Sequence, residues 1–231
     1  MELAVYATEM EVAERAAELI DASARAAVQA RGAFTLAVSG GRTPWAMLRA
    51  LAARPLPWDA VHLFQVDERV APEGDAERNL THITESLLSH APIPPRNVHA
   101  MPVTDRDLAA AAERYAQECA RVAGTPVVFD LVHLGLGPDG HTASLVPGDP
   151  VLNVSDADVA LAGPYQGRER MTLTYPAIDR ARRILWIVTG AEKHAMLTRL
   201  RAGDRTIPAG RVRADGAVLL ADRAAAQRST P

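Results

Sequence analysis

The chain has little cysteine, little lysine and no long apolar run. Cys119 is the single cysteine of the 231 residues, which excludes an internal disulfide and favours a reducing compartment. No stretch approaches ~18 uninterrupted apolar residues, and the N-terminus lacks the basic and apolar regions of a secretory signal. We therefore expect a cytoplasmic protein without a membrane span, in which Cys119 packs as a small hydrophobic side chain.

The chain also lacks a large excess of charge of either sign. Its net charge is -3 and its pI is about 6.2, so there is no basic field to attract nucleic acid or anionic lipid. Lys193 is the only lysine, and arginine supplies the other fixed positive charges. We expect a small-molecule ligand, with neither nucleic acid nor a membrane as a partner.

Short apolar runs alternate with stretches of helical periodicity. Strands are predicted near 3–6, 34–38, 61–66, 98, 129–134, 160–161, 171–174, 184–188 and 217–220, and helices over 9–30, 44–53, 80–89, 105–122 and 192–201. This alternation is typical of a parallel sheet covered on both faces. The predicted fold is therefore α/β, a doubly wound, mostly parallel, Rossmann-like sheet flanked by helices on both faces. No linker interrupts it, so we expect one domain over residues 1–231.

A Gly-Gly loop lies between the second predicted strand and the helix after it. Glycine N–H groups at a helix N-terminus can hold an anion, and Pro44 suits the first position of that helix. No Lys-Ser/Thr pair follows, so a nucleoside triphosphate with magnesium is not indicated. The alternative is a plain tight turn. We predict a phosphate site formed by Ser39, Gly40, Gly41, Arg42 and Thr43.

The run Gly135–Ser144 brings an acid and an imidazole to the carboxyl end of another apolar strand. Asp139 lies two residues before His141, where it can fix the ring's tautomer and raise its basicity, as a general base requires. The run also contains a G-x-G-x-x-G pattern. Pro147 follows too soon for the helix that a dinucleotide fingerprint needs, and Asp139 would repel the phosphates. We predict that His141 and Asp139 are catalytic, with Asp139 orienting the ring or only shaping the turn.

Charged residues follow or begin further predicted strands. Asp67 and Arg69 come after the strand at 61–66 and share a direction, while Glu68 points away as a structural residue. Arg170 begins a later strand, and Lys193 lies in a strand-to-helix turn, where both could bind one phosphate. The alternatives are a solvated turn for the first group and a surface position for Lys193. We predict that Asp67 and Arg69 take part in catalysis and that Arg170 and Lys193 bind the anion.

No metal site is predicted. His133 lies inside an apolar strand and Cys119 inside a helix, and the chain has neither an H-x-x-x-H nor a C-x-x-C pair. A Gly-x-Ser-x-Gly elbow for a serine nucleophile is absent too. The remaining histidines are isolated in the sequence and are expected to be packing or surface residues: His62, His82, His90, His99 and His194.

Together, these motifs resemble the 6-phosphogluconolactonase family. The resemblance rests on the loop 39–44, on 67–69 with Asn79, and on the runs 135–144, 170–174 and 190–193. It implies a fold similar to that of glucosamine-6-phosphate deaminases and a hydrolase of the oxidative pentose phosphate pathway with no metal or other cofactor. It further implies that the 6-phosphate is held by Gly40, Gly41, Thr43, Arg170 and Lys193, and that Asp67, Arg69 and His141 face the lactone ring.

The sequence departs from the family's usual pattern at Arg42, where a small polar residue is common, and at Val146, where an aromatic one is usual. In the deaminase pattern an acidic residue stands at the position of Val146, and valine cannot transfer a proton. The expected reaction is therefore hydrolysis of 6-phospho-D-glucono-1,5-lactone to 6-phospho-D-gluconate, by a monomer or a small homo-oligomer. A sugar-phosphate isomerase or deaminase and a non-catalytic sugar-phosphate sensor remain the alternatives.

Overall fold

The chain forms one large and one small β-sheet in a computed structural model that describes residues 1–227. The strands are β1 (Glu2–Tyr6), β2 (Phe34–Val38), β3 (Val61–Gln65), β4 (Asp67–Arg69), β5 (Val98–His99), β6 (Leu131–Leu134), β7 (Val159–Tyr165), β8 (Arg168–Leu173), β9 (Arg183–Val188) and β10 (Val218–Asp222). The α-helices are α1 (Glu9–Arg31), α2 (Arg42–Ala52), α3 (Asn79–Ile83), α4 (Leu108–Ala123), α5 (Tyr175–Asp179), α6 (His194–Arg201) and α7 (Arg223–Ala226).

The large sheet has seven strands in the order β1-β10-β9-β6-β2-β3-β5, and every neighbouring pair is parallel. Both faces are covered, because successive side chains of β2 enter different cores. Leu36 packs with α1, α2 and Ile83, whereas Ala37 packs with α4, α6 and the small sheet. The predicted doubly wound α/β fold is thus confirmed.

The strand order reverses between β2 and β6. From β2 the chain proceeds to β3 and β5 on one side, and from β6 it proceeds to β9 and β10 on the other. The loops after β2 and β6 therefore diverge and leave a crevice at the carboxyl ends of these two strands. Both loops with predicted site residues, 39–43 and 135–144, begin at this crevice.

The predicted strands at 160–161 and 171–174 do not join the parallel sheet. They form β7 and β8, which join β4 in an antiparallel sheet of order β4-β8-β7. Only Gln166 and Gly167 separate β7 from β8, both with positive φ (55° and 81°). Two residues in this conformation make a tight hairpin, whereas a parallel pair requires a long crossover.

Some local expectations also need correction. Helix α2 begins at Arg42 with Gly41 as its N-cap, so Pro44 occupies the third position and not the first. Proline is tolerated there for the same reason, since none of the first few N–H groups has a partner within the helix.

His62 and His99 are not isolated, because Nδ1 of His62 lies 3.0 Å from Nε2 of His99. Cys119 is buried as expected, and burial raises the pKa of its thiol.

Among the described residues, no helix combines the length and the apolar character needed to span a membrane. The expected single domain covers residues 1–231, of which 228–231 lie outside the described residues. That domain assignment stays a prediction.

Candidate active site

A cleft of about 390 Å³ opens at the crevice between the β2 and β6 loops. Each predicted site residue except Asp139 lines it: Ser39, Gly40, Gly41, Arg42, Thr43, Asp67, Arg69, His141, Arg170 and Lys193. Asp139 lies behind His141 and contacts its ring. Residues separated by more than a hundred positions in sequence thus share one cleft, because the loops after β2, β6 and β9 meet strands β4 and β8 of the small sheet there.

The loop after β2 is held in place by two side chains, His133 and Asn79. The backbone N–H of Ser39 donates to Nδ1 of the buried His133 at 3.3 Å. A Cβ on Gly40 would lie 1.9 Å from Oδ1 of Asn79, so only glycine permits this close approach. The Asn79 amide nitrogen donates to the carbonyl of Asp67 at 2.8 Å, so the side chain that packs against Gly40 is held by β4. The glycine backbone is therefore fixed where α2 begins.

Around the predicted Thr43, the cleft contains hydroxyl and carboxylate groups that were not predicted from the sequence. The Thr43 hydroxyl donates to Glu9 at 3.0 Å and lies 2.5 Å from the Thr189 hydroxyl. Glu9 and Glu192 both line the cleft beside Lys193. Glu9 belongs to α1, far from every motif, and no sequence signal pointed to it.

Two arginines face one another across β4 and β8. Arg69 and Arg170 are register partners in this antiparallel pair, and both line the cleft. Like charges directly opposite each other destabilise a sheet unless an anion compensates them. Arg170 is only 4% exposed, and burial is the main reason why its pKa is lowered. The pair creates a partly desolvated positive region suited to an anionic ligand.

Several buried polar atoms in the cleft have no hydrogen-bond partner among the described residues. They are Oγ of Ser39, Oδ1 of Asn79 and Nε of both Arg69 and Arg170. Buried polar groups in folded proteins almost always find partners, and an unpaired group calls for a ligand or water. The cleft therefore offers both donors and acceptors to a polar ligand.

Asp67 and Glu68 have different roles, as their alternating directions predict. Glu68 is fully buried, and its carboxylate accepts N–H groups of Arg69, Asn79 and Leu80 at 2.8 to 2.9 Å. It thereby fixes β4 against the start of α3. Asp67 lines the cleft and accepts the Ser144 hydroxyl at 2.8 Å.

His141 and Asp139 form a close pair. The ring Nδ1 of His141 donates to Oδ1 of Asp139 at 2.6 Å, and the His141 backbone N–H donates to the same oxygen at 3.1 Å. Burial raises the pKa of Asp139, but the hydrogen bonds from His141 outweigh it, so that pKa lies below its ordinary value. With Nδ1 directed at the carboxylate, Nε2 is the ring nitrogen that the neutral tautomer leaves available to accept a proton.

A tyrosine completes this group and was not predicted. The Tyr165 hydroxyl donates to Oδ2 of Asp139 at 3.1 Å, and its ring meets the His141 ring edge-on at 5.1 Å between centroids. Tyr165 ends β7 immediately before the hairpin turn, and Gln166 of that turn lines the cleft. The order Tyr-Gln-Gly is a sequence signal for this position, but it can be interpreted only once the antiparallel hairpin is known.

In residues 1–227, no group of three or more His, Cys, Asp or Glu side chains is arranged to hold a metal ion. His133, considered above as a ligand, is fully buried under the β2 loop, and burial lowers its pKa to about 3. Its neutral ring instead accepts the Ser39 N–H.

Fold and site together define a doubly wound α/β protein with a cleft for a small anionic ligand beside a histidine–aspartate pair. A family model described as glucosamine-6-phosphate isomerases/6-phosphogluconolactonase matches residues 7–220. The chain belongs to this family.

Relatives in this family align over most of the chain. The 6-phosphogluconolactonase of Mycobacterium tuberculosis is 40% identical over 217 residues, or 88% of each chain. The solved 6-phosphogluconolactonase from Thermotoga maritima has a TM-score of 0.85 and 30% identity, covering 96% of this chain and 98% of its own. A monomeric glucosamine-6-phosphate deaminase has a TM-score of 0.83 at 20% identity, with 98% and 99% covered, which shows the fold alone.

Proposed function

We propose that the chain hydrolyses 6-phospho-D-glucono-1,5-lactone to 6-phospho-D-gluconate in the oxidative pentose phosphate pathway. The observation that carries the proposal is the position of His141, held by Asp139, in the same cleft as the opposed Arg69 and Arg170. Relatives at 35 to 40% identity bear the name 6-phosphogluconolactonase. The proposed compartment is the cytoplasm, where the lone thiol of Cys119 stays reduced.

In the proposed reaction, Nε2 of His141 removes a proton from water while the water oxygen attacks the lactone carbonyl carbon. The carbonyl π bond opens to an oxyanion. When the carbonyl re-forms, the bond to the ring oxygen breaks and that oxygen takes the proton from His141. Asp139 holds the ring in the required tautomer and stabilises its charged form. The step needs no metal ion.

We assign the oxyanion to Arg69. The alternative was a set of N–H groups in the turn 135–140, but two of these are already bonded. The Gly137 N–H donates to the His141 carbonyl at 2.8 Å, and the Gly140 N–H donates to the Gly137 carbonyl at 3.1 Å. Arg69 lines the cleft, and its buried Nε has no partner among the described residues. A preorganised cation at this oxygen stabilises the transition state more than the ground state.

The phosphate is assigned to the β2 loop together with Arg170 and Lys193, which line the same cleft. Binding a group remote from the reacting carbon orients the lactone. Such orientation lowers the barrier by several kcal/mol, and by up to about 7 to 11 in the best-aligned systems.

Val146 distinguishes lactone hydrolysis from deamination in this proposal. A deaminase-isomerase must move protons between two carbons and needs further acid–base groups, whereas valine at this position offers none. The similarity to a deaminase structure extends only to the fold and favours neither reaction.

The direct test is a pH-controlled assay of freshly generated 6-phosphogluconolactone, corrected for its spontaneous hydrolysis. We expect wild-type activity and a loss of at least about 10²-fold in His141→Ala, since general bases contribute that much. Activity of His141→Ala within threefold of wild type would refute the general-base assignment. Ammonia release from glucosamine 6-phosphate at a comparable rate would favour a deaminase, and binding of 6-phosphogluconate without turnover would favour a sensor.

The phosphate assignment predicts that Lys193→Ala weakens binding of 6-phosphogluconate about 10- to 100-fold, the range expected for one charge-assisted hydrogen bond. Arg201→Ala is the control, because it removes an exposed positive charge from α6, which directly follows Lys193, but lies outside the cleft. Calorimetry at fixed ionic strength measures both variants. Equal affinities of Lys193→Ala and wild type would refute the assignment.

A further inference from the structure

The β7–β8 hairpin brings one side chain into contact with both functional parts of the cleft. The Tyr165 hydroxyl donates to Oδ2 of Asp139, as described above, and lies 3.5 Å from Nδ1 of His141. The guanidinium of Arg170 lies over the Tyr165 ring, 5.1 Å from its centroid. Nη2 of Arg170 also donates to the Tyr165 carbonyl at 3.3 Å. Tyr165 therefore connects the histidine–aspartate pair with an arginine of the positive region.

Asp139 is held through both of its carboxylate oxygens. Oδ1 receives the two donors of His141, and Oδ2 receives Tyr165. Without the hydroxyl, the bonds to Oδ1 alone leave the carboxylate free to rotate about that oxygen. Its in-plane alignment with the imidazole, on which a general base depends, is then no longer fixed from the second side. The hydroxyl also withdraws negative charge from the carboxylate.

The backbone places Tyr165 firmly. Tyr165 and Arg168 are register partners at the end of the hairpin, and Gln166 between them has the left-handed φ of 55°. Burial and the bond to Asp139 both raise the pKa of Tyr165, so its hydroxyl remains a proton donor over the working pH range.

We propose that Tyr165 is a positioning residue that holds Asp139 and thereby His141 in the geometry for general-base catalysis, while its ring supports Arg170. This inference deepens the proposed lactone hydrolysis and rests on it. Tyr165 is not proposed to touch the reacting atoms.

The first test is Tyr165→Phe, which keeps the ring and removes only the hydroxyl. We expect kcat to fall about tenfold and KM to stay within about twofold, because the ring contact to Arg170 remains. We also expect the acidic limb of the kcat/KM profile to move to higher pH, since a more basic Asp139 stabilises the charged imidazole better. A purely structural role of Tyr165 would not move that limb.

The second variant, Tyr165→Leu, removes the ring as well. We expect the same loss in kcat plus about threefold weaker binding of 6-phosphogluconate, because Arg170 loses its aromatic partner. Tyr6→Phe is the matched control, since its hydroxyl lies outside the cleft and, within residues 1–227, has the exposed Arg15 as its only hydrogen-bond partner. Thermal unfolding of all three variants establishes that they are folded.

The outcomes separate this proposal from the proposed function. Wild-type protein without lactonase activity would overturn the function and this inference with it. Active wild type with Tyr165→Phe within twofold in kcat, or with an unmoved acidic limb, would overturn the positioning role alone. A tenfold loss confined to kcat, with the limb displaced and Tyr6→Phe unchanged, supports it.

Discussion

Gly137 allows a sharp test of the His141 geometry. A Cβ built on Gly137 lies 2.0 Å from Nδ1, 2.2 Å from Cε1 and 2.6 Å from Cγ of His141. Its three nearest atoms thus all belong to the ring. Heavy atoms essentially never approach a Cβ closer than 3.0 Å, so Gly137→Ala must displace the ring by at least about 1 Å. The backbone resists moving instead, because the Gly137 N–H is bonded to the His141 carbonyl.

The expected loss in kcat is about 10²-fold, since a 1 Å misplacement of a catalytic group costs this much. Non-additivity is the diagnostic result. In His141→Ala the clashing ring atoms are gone, so the double variant should be no more than about threefold less active than His141→Ala alone. A Gly137→Ala variant that acted through the phosphate loop would add its own factor.

The assay is lactone hydrolysis at fixed pH for wild type, both single variants and the double variant, with 6-phosphogluconate affinity measured in parallel. Product affinity should stay within about twofold in Gly137→Ala, because the proposed phosphate ligands lie on other segments of the cleft. Two results would each contradict a displaced His141 ring as the cause. One is a Gly137→Ala variant with near-normal kcat, and the other is a double variant whose losses multiply.

Two further predictions concern the buried groups beneath the cleft. The pKa of His133 in the folded chain is lowered to about 3. As the pH falls below 6.5, the unfolded chain therefore binds a proton at this histidine while the folded chain does not. By pH 5 this difference lowers the free energy of unfolding of wild type by about 2 kcal/mol. His133→Asn, which keeps an acceptor for Ser39, should remove this contribution to the pH dependence of urea unfolding, whereas the control His90→Asn at an exposed histidine should retain it. His62 and His99, whose pKa values are also lowered by burial, contribute equally in both variants. Glu68→Gln turns an amide NH₂ toward backbone donors and should lower the free energy of unfolding by about 3 kcal/mol, compared with a few tenths for the exposed Glu169→Gln. Equal unfolding curves for the two glutamine variants would contradict the latter prediction.

The sequence predicted the large sheet and the loops at its carboxyl edge because both depend on local patterns. An apolar run such as 34–38 can be recognised without knowing its neighbours, and polar residues after parallel strands meet at one edge. The small sheet could not be predicted in the same way. Periodicity identifies a strand but not its direction, and only the two-residue turn at Gln166 reveals that β7 and β8 are antiparallel.

Site residues outside the motifs were missed for a related reason. Glu9 reaches Thr43 from the first turn of α1, and Tyr165 reaches Asp139 from the end of an antiparallel strand. Neither contact follows from spacing, since each depends on how one layer packs against the next. Packing of this kind is set by the summed shape of many side chains and not by a local pattern.

The division between the two sheets also explains how the cleft combines its chemistry. The parallel sheet supplies the loops that present backbone N–H groups and His141, while the antiparallel sheet supplies Arg69, Arg170 and Tyr165. Because β4 follows β3 after one residue, any shift of the small sheet would move Asp67 and Arg69 relative to His141. Glu68 opposes such a shift by binding three backbone N–H groups across the β4–α3 junction. We therefore expect the buried Glu68 to affect turnover through the geometry of Arg69, although it lies outside the cleft.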